Sequence, residues 1–229
     1  MIVPILLVPI AVISYYLGSV STVNFTSNIY FHYNIAREFP RNNDGITRFM
    51  NAYRIKGVLV LAITEVLKTL VPVLLSGLVF GKVTGYAEVG YAFSMFCVLL
   101  GTVFPIMYRF KGEVSILAFF VSLFCINGRI AVFTIIAFAV VYYLSHHISL
   151  GAVSAAAVMC LASVLLVDDA LVRRLLLFTA ILIVIEHRKS LTRIIRGEEP
   201  GFVYRRDVGY IFDESGVQEP NKNEKSKKK

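Results

Sequence analysis

Residues 57–80 read GVLVLAITEVLKTLVPVLLSGLVF, and this stretch decides the class of the protein. As a helix it reaches about 36 Å, more than the roughly 30 Å hydrocarbon core of a bilayer. Its only charged residues are Glu65 and Lys68. Working outward, further apolar runs lie at roughly 2–20, 87–108, 114–127, 130–145, 150–167 and 171–186. Those at 2–20 and 87–108 are long enough to cross. The run at 114–127 gives only about 21 Å as a helix. It reads as a half-span, a sheltered segment, or part of a bent hairpin with 130–145 around Asn127-Gly128-Arg129. The expectation is an all-α integral membrane protein of about seven transmembrane helices, with a short broken pair in the middle.

Composition agrees. Of 229 residues, 57% are hydrophobic and 17% charged, and the mean hydropathy is +0.70. Soluble domains carry about 25% charged residues, so this chain has too few to cover a surface in water. A nucleic-acid binder, a disordered protein and a disulfide scaffold are excluded. Cys97, Cys125 and Cys160 lie in apolar runs without ligand-like spacing and read as small core hydrophobes.

The net charge of +8 is unevenly placed. Five of the 23 Lys and Arg residues fall within 25–56 (Arg37, Arg41, Arg48, Arg54, Lys56), and eleven follow residue 186. The first run lacks a basic leader, and residues 18–21 make a poor cleavage site, so it reads as a retained span. With seven spans the termini face opposite sides, and the positive-inside rule makes the side of 25–56 and of the C-terminus cytoplasmic, with the N-terminus outside. Arg129 and the Arg173-Arg174 pair count against this orientation but are outnumbered. Residues 1–202 form the membrane domain; 203–229 form a disordered basic cytoplasmic tail, rich in Lys, Glu, Asn and Ser.

Glu65 and Lys68 are spaced i, i+3, share a helix face and can pair. Read from the sequence they sit near mid-bilayer, where ionisable groups are costly and face the bundle interior. Pro72 frees the carbonyl of Lys68 and should kink the helix. Other polar groups gather on the cytoplasmic side: the turn-forming Asn42-Asn43-Asp44-Gly45 with Thr47 and Arg48, then Phe110-Lys111-Gly112, His146-His147-Ile148-Ser149 and Glu186-His187-Arg188-Lys189. Four loops that deliver cations, amides and hydroxyls to one face suit a phosphorylated lipid precursor. A His-x-x-x-x-Asp pattern, a Gly-x-Ser-x-Gly elbow, a His-Glu-x-x-His pair and a phosphate loop are all missing. His146 and His147, adjacent on a helix, point about 100° apart and do not easily share a metal.

The order of motifs resembles the bacterial integral-membrane glycerol-3-phosphate acyltransferases that use acyl-phosphate, the PlsY family. The resemblance runs from about Tyr16 to Phe202. Tyr16-Leu17-Gly18-Ser19 is similar to the family's first-span signature, and Asn43-Asp44-Gly45-Ile46-Thr47 to the end of its Gly-Ser-Gly-Asn-x-Gly-x-Thr-Asn loop. Glu65-Val66-Leu67-Lys68 resembles its Asp-x-x-Lys-Gly. Gly101-Thr102-Val103-Phe104-Pro105 followed by Phe110-Lys111-Gly112 resembles Gly-His-x-Phe-Pro and Phe-Lys-Gly-Gly-Lys-Gly. Ser149-Leu150 matches its Ser-Leu. His187-Arg188-Lys189-Ser190-Leu191-Thr192-Arg193 and Gly197-Glu198-Glu199-Pro200 are similar to its C-terminal motifs. Departures are Arg41-Asn42 for Ser-Gly, Arg48 for Asn, Thr102 for His, Glu113-Val114-Ser115 for Gly-Lys-Gly, Glu186 for Arg and Ser190 for Asn.

The resemblance implies transfer of a fatty acyl group from acyl-phosphate to the 1-hydroxyl of glycerol-3-phosphate, giving lysophosphatidic acid. It implies a bacterial plasma-membrane location, no cofactor and no metal. It makes Ser149 and His187 the catalytic candidates. Asn43, Thr47, Lys68, Lys111, Gly112, Arg188 and Arg193 become candidates for binding substrate and phosphate, with Glu65, Gly45 and Glu199 in support. Because acyl-phosphate is already activated, the protein needs only to position two anions and stabilise charge. The partners expected are these two substrates (or a similar polyol phosphate) and the lipid bilayer, not nucleic acid. Two other readings stand beside this one: a family member that has lost catalysis and binds lipid or serves as a scaffold, and a small-solute transporter, which has only the Glu65 and Lys68 pair behind it.

Overall fold

The computed structural model describes residues 2–30, 44–108, 110, 112, 115–196, 212–213 and 216–217. Its helices are α1 (Ile2–Ser19), α2 (Thr22–Tyr30), α3 (Asp44–Thr84), α4 (Ala87–Val103), α5 (Ile116–Ile126), α6 (Gly128–Ser145), α7 (Ile148–Leu166) and α8 (Ala170–Ile195). A 3₁₀ turn, Ile106–Tyr108, follows α4, and β1 (Phe212–Asp213) pairs antiparallel with β2 (Gly216–Val217). Each of the seven apolar runs coincides with a helix over most of its length. Leu59–Thr84, Gly128–Ser145 and Ile148–Leu166 are long and apolar enough to cross a membrane, and Leu7–Ser19, Ala87–Val103 and Ile116–Ile126 are shorter apolar helices.

The chain divides into two units. One comprises Met1–Ser21 and Glu65–Phe202, the other Thr22–Thr64 and Val203–Lys229. The second unit contributes α2, the first half of α3 and the strand pair. Within it Thr64 returns its hydroxyl to the Val60 carbonyl at 2.8 Å.

In the first unit α4 packs on α5 and α8, and the contacts α5 to α6, α6 to α7 and α7 to α8 close a ring. Met95, Leu99, Leu123, Ile130, Met159 and Leu176 are fully buried in it. Helix α7 turns a face of small residues inward, including Ala152, Ala155, Ala156 and Ala162. Gly151 lies so close to Phe138 that an added Cβ would meet its ring at 3.0 Å. Small residues of this kind let membrane helices approach where lipid supplies no hydrophobic drive between them. The second half of α3 shows the same inversion. Its inner face carries Glu65, Thr69, Pro72, Val73, Ser76 and Phe80, all buried, while Leu67, Val71, Leu74, Leu75 and Leu78 point outward and are exposed. Apolar outside and polar or small inside is the pattern of a lipid-facing helix.

Helix α1 lies parallel to α4 across a close crossing. Ser14 and Ser94 share a buried hydroxyl contact of 2.8 Å. An added Cβ on Gly18 would meet the Val98 carbonyl oxygen at 2.2 Å, and one on Gly101 would meet that of Tyr15 at 2.2 Å. Two motifs far apart in sequence, around Gly18 and around Gly101, are therefore one contact. Gly101→Ala is expected to lower stability by about 1–3 kcal/mol, read as a fall in the unfolding midpoint in detergent.

Sequence and structure differ at the helix ends. Helix α3 begins at Asp44, so Gly45 and Thr47 lie on helical backbone rather than in a turn. It continues through Pro72. The run at 87–108 is cut at Val103 because Pro105 lacks the N–H needed for another turn. The pair α5 and α6 is a sharp hairpin hinged on Asn127, which ends one helix and caps the next through Oδ1, accepting from Arg129 N at 3.0 Å and Ile130 N at 3.4 Å.

Candidate active site

Chain direction puts the ends of α1, α4, α6 and α8 and the start of α7 at one end of the first unit, here the polar end. Three groups of expected site residues lie there.

The first is the pair on α3. Lys68 Nζ stands 3.1 Å from Glu65 Oε2, with side-chain exposures of 10% and 12%. The same ammonium donates to the Val20 carbonyl at 3.1 Å, one residue beyond α1. A cation there satisfies a carbonyl left over by the helix end and complements its dipole. From Lys68, α3 runs about 24 Å further to Thr84, so the pair lies toward the end where α1 stops.

The second group is the loop after α4. Tyr15 donates its hydroxyl to the Phe104 carbonyl at 2.6 Å. Phe110 N–H bonds to the Pro105 carbonyl at 3.0 Å, with Phe110 at a φ of +58°, and Gly112 N–H bonds to the Val103 carbonyl at 3.1 Å. The loop folds back so tightly that a Cβ on Gly112 would stand 1.9 Å from the Thr102 carbonyl oxygen and 2.6 Å from Pro105 Cδ. Thr102, at the position of the family's His, is buried and turns its hydroxyl to the Leu99 carbonyl at 2.8 Å. Ser115 caps α5, accepting from Ala118 N at 3.2 Å.

The third group joins α7 to α8. A two-residue turn, His146-His147, separates α6 from α7; His146 takes the left-handed φ of +57°, and its N–H bonds to the Tyr142 carbonyl at 2.8 Å. The turn sets Ser149 in the first turn of α7, where its hydroxyl donates to Ser190 Oγ at 2.7 Å. Glu186, His187 and Ser190 are half-buried along α8, while Arg188, Lys189 and Arg193 are exposed. Arg193 stands three residues beyond Ser190 and shares its face; Arg188, two residues before it, points about 160° away.

The structure thus brings Glu65 to Lys68, Gly112 to the end of α4, and Ser149 to the face of α8 that carries His187 and Arg193. It does not bring Arg188 to that face. Asn43, Lys111 and Glu199 lie outside the described residues, and so does the side chain of Thr47; of Gly45 only the helical backbone is described. Ser190 is the candidate that the sequence does not single out, since it reads there only as a replacement for Asn; its contact with Ser149 spans 41 positions.

What the polar end can do follows from its groups. The start of α7 offers backbone N–H groups, and its N-cap residue, His147, supplies no side-chain cap bond. Such a terminus favours an anion. The α8 face adds an imidazole, a hydroxyl and a guanidinium beside it.

Comparison with known proteins gives the family and the fold. Residues 8–197 match the model of a family described as glycerol-3-phosphate acyltransferase. The glycerol-3-phosphate acyltransferase of Francisella tularensis subsp. novicida is 30% identical over 193 residues, covering 83% of this chain and 90% of the relative. That of Staphylococcus haemolyticus is 24% identical over 202 residues, covering 85% and 97%. Two crystal structures of PlsY (YgiH), an integral membrane glycerol 3-phosphate acyltransferase, share the fold. The glycerol 3-phosphate form has a TM-score of 0.67 at 19% identity, covering 86% of this chain and 96% of that one. The lysophosphatidic acid form has a TM-score of 0.69 at 20% identity, covering 86% and 95%. This chain is a multi-pass integral membrane protein and belongs to the glycerol-3-phosphate acyltransferase family.

Proposed function

We propose that this protein transfers a fatty acyl group from acyl-phosphate to the 1-hydroxyl of glycerol-3-phosphate, releasing lysophosphatidic acid and inorganic phosphate. The observation that carries the reading is the hydrogen bond between Ser149 and Ser190. It holds the anion-favouring start of α7 against the face of α8 that bears His187 and Arg193. The acceptor oxygen attacks the acyl carbonyl carbon, the oxyanion collapses, the bond to phosphate breaks, and the hydroxyl proton leaves with the phosphate or through His187. No covalent enzyme intermediate is needed. The work of the protein is orientation and charge stabilisation.

In this reading Ser149 orients the acceptor, His187 handles the proton, and Arg193 with Lys111 and the Gly112 loop holds phosphate. Lys68, seated by Glu65, fixes the end of α1 below them. Asn43, Thr47, Gly45 and Glu199 are assigned to the rim by resemblance, and so is Arg188, although its direction on α8 argues for a place at the entrance. The acyl chain stays among the helices. The polar end faces the cytoplasm of a bacterial cell membrane in this reading, which the excess of Lys and Arg in 25–56 and after residue 186 supports, with the N-terminus outside and 203–229 as a cytoplasmic tail.

The test supplies purified protein with acyl-phosphate and radiolabelled glycerol-3-phosphate. Labelled lysophosphatidic acid is expected, falling at least about 100-fold in His187→Ala. Acyl-phosphate that binds without any product would instead make the chain a lapsed member that holds lipid.

A further inference from the structure

At the end opposite the polar one, α1, the α3–α4 turn and the start of α8 enclose a groove of about 560 Å³, within the range of about 300–1,000 Å³ typical of ligand sites. Phe80, Phe93, Leu175 and Phe178 form apolar walls, while Tyr86, Asp169 and Arg174 also line it. Arg173 and Arg174, two of the three arginines on the wrong side for the positive-inside rule, are used differently. Arg173 Nη1 donates to the Val167 carbonyl at 2.8 Å and to that of Asp168 at 3.3 Å, closing off the end of α7. Arg174 is exposed and makes no hydrogen bond or ion pair with the described residues. Asp169 caps α8 with Oδ1 alone, accepting from Leu171 N at 2.7 Å and Val172 N at 3.2 Å. Its Oδ2 has no partner among the described residues. Tyr86, 64% exposed, suits headgroup depth, where amphipathic rings collect.

We propose that this groove is a binding site for a membrane phospholipid whose headgroup carries both a phosphate and a primary ammonium. One acyl chain lies along the aromatic walls, the phosphate meets the Arg174 guanidinium, and the ammonium donates to Asp169 Oδ2. The pairing of an unengaged cation with a half-engaged carboxylate at the mouth of an apolar slot selects this chemistry. A purely anionic headgroup would meet Asp169 unfavourably, and a choline headgroup has no N–H to give it. The lipid joins α1, the α3–α4 turn and α8 in the leaflet away from the polar end, so the site stands apart from acyl transfer.

The full-length protein is reconstituted in vesicles of phosphatidylethanolamine, phosphatidylcholine and phosphatidylglycerol in equal parts, recovered in mild detergent, and its retained lipid is counted per chain by native mass spectrometry. One phosphatidylethanolamine per chain is expected, about tenfold or more above either other lipid. Asp169→Asn preserves the helix cap, since Asn caps as well as Asp, and should bring retention to the level of the other two. Arg174→Gln should lower retention of all three. Acyl transfer by both variants serves as the check on folding. Equal retention of the three lipids by the unsubstituted protein, preference for phosphatidylglycerol, or an unchanged preference in Asp169→Asn would each overturn the proposal.

Discussion

Gly112→Ala is expected to lower turnover by about 100-fold while the helices remain folded. The added Cβ would stand 1.9 Å from the Thr102 carbonyl oxygen and 2.6 Å from a Pro105 ring carbon. Neither neighbour can swing aside: one is backbone at the end of α4, the other a ring fixed to it. Relief therefore moves the loop itself by more than about 1 Å and breaks the bond from Gly112 N–H to the Val103 carbonyl. A displacement of that size in a positioning element costs on the order of 10² in rate. The change sits outside the helix contacts that carry most of the packing, so the unfolding midpoint should shift far less than in Gly101→Ala. Full activity in Gly112→Ala would remove the loop from the site.

The second large effect concerns the pair on α3. Lys68→Met takes the paired ammonium from a carboxylate that is 12% exposed and removes the cation from the Val20 carbonyl. Breaking one member of a buried pair costs about 3–5 kcal/mol, whereas replacing both with uncharged groups is often close to neutral. Lys68→Met should therefore unfold at a markedly lower temperature in detergent, and Glu65→Gln combined with Lys68→Met should recover most of the loss. A double variant no more stable than Lys68→Met would show that the cation matters through the end of α1 rather than through Glu65.

The contrast between these residues shows what a sequence can disclose here. Glu65 and Lys68 lie one turn apart, so their pairing follows from helical spacing alone. Their place against the end of α1 does not, because it depends on how α1 and α3 meet 48 positions apart, and no local pattern encodes that. Long apolar runs identified the helices, since burying backbone in lipid leaves no other way to satisfy its N–H and C=O groups. Where the apolar signal stopped, the helix did not: α3 reaches back to Asp44 through polar residues, and α2, with Asn24, Ser27 and Asn28, gave no run to read. Pro105 did announce the end of α4, but the apolar residues beyond it hid the signal. Ser149 is legible as a candidate site residue through resemblance, whereas Ser190 becomes a candidate only when α7 and α8 are seen side by side.

The proposed reaction requires glycerol-3-phosphate to be held at the polar end, between α7 and α8. The most direct measurement replaces the three native cysteines, introduces either Ser190→Cys or Tyr86→Cys, and follows maleimide labelling as glycerol-3-phosphate is added. Protection of the cysteine at 190, with none at 86, is the predicted result. Protection at 86 alone, or at neither position while labelled lysophosphatidic acid still forms, would place the substrate elsewhere and contradict it.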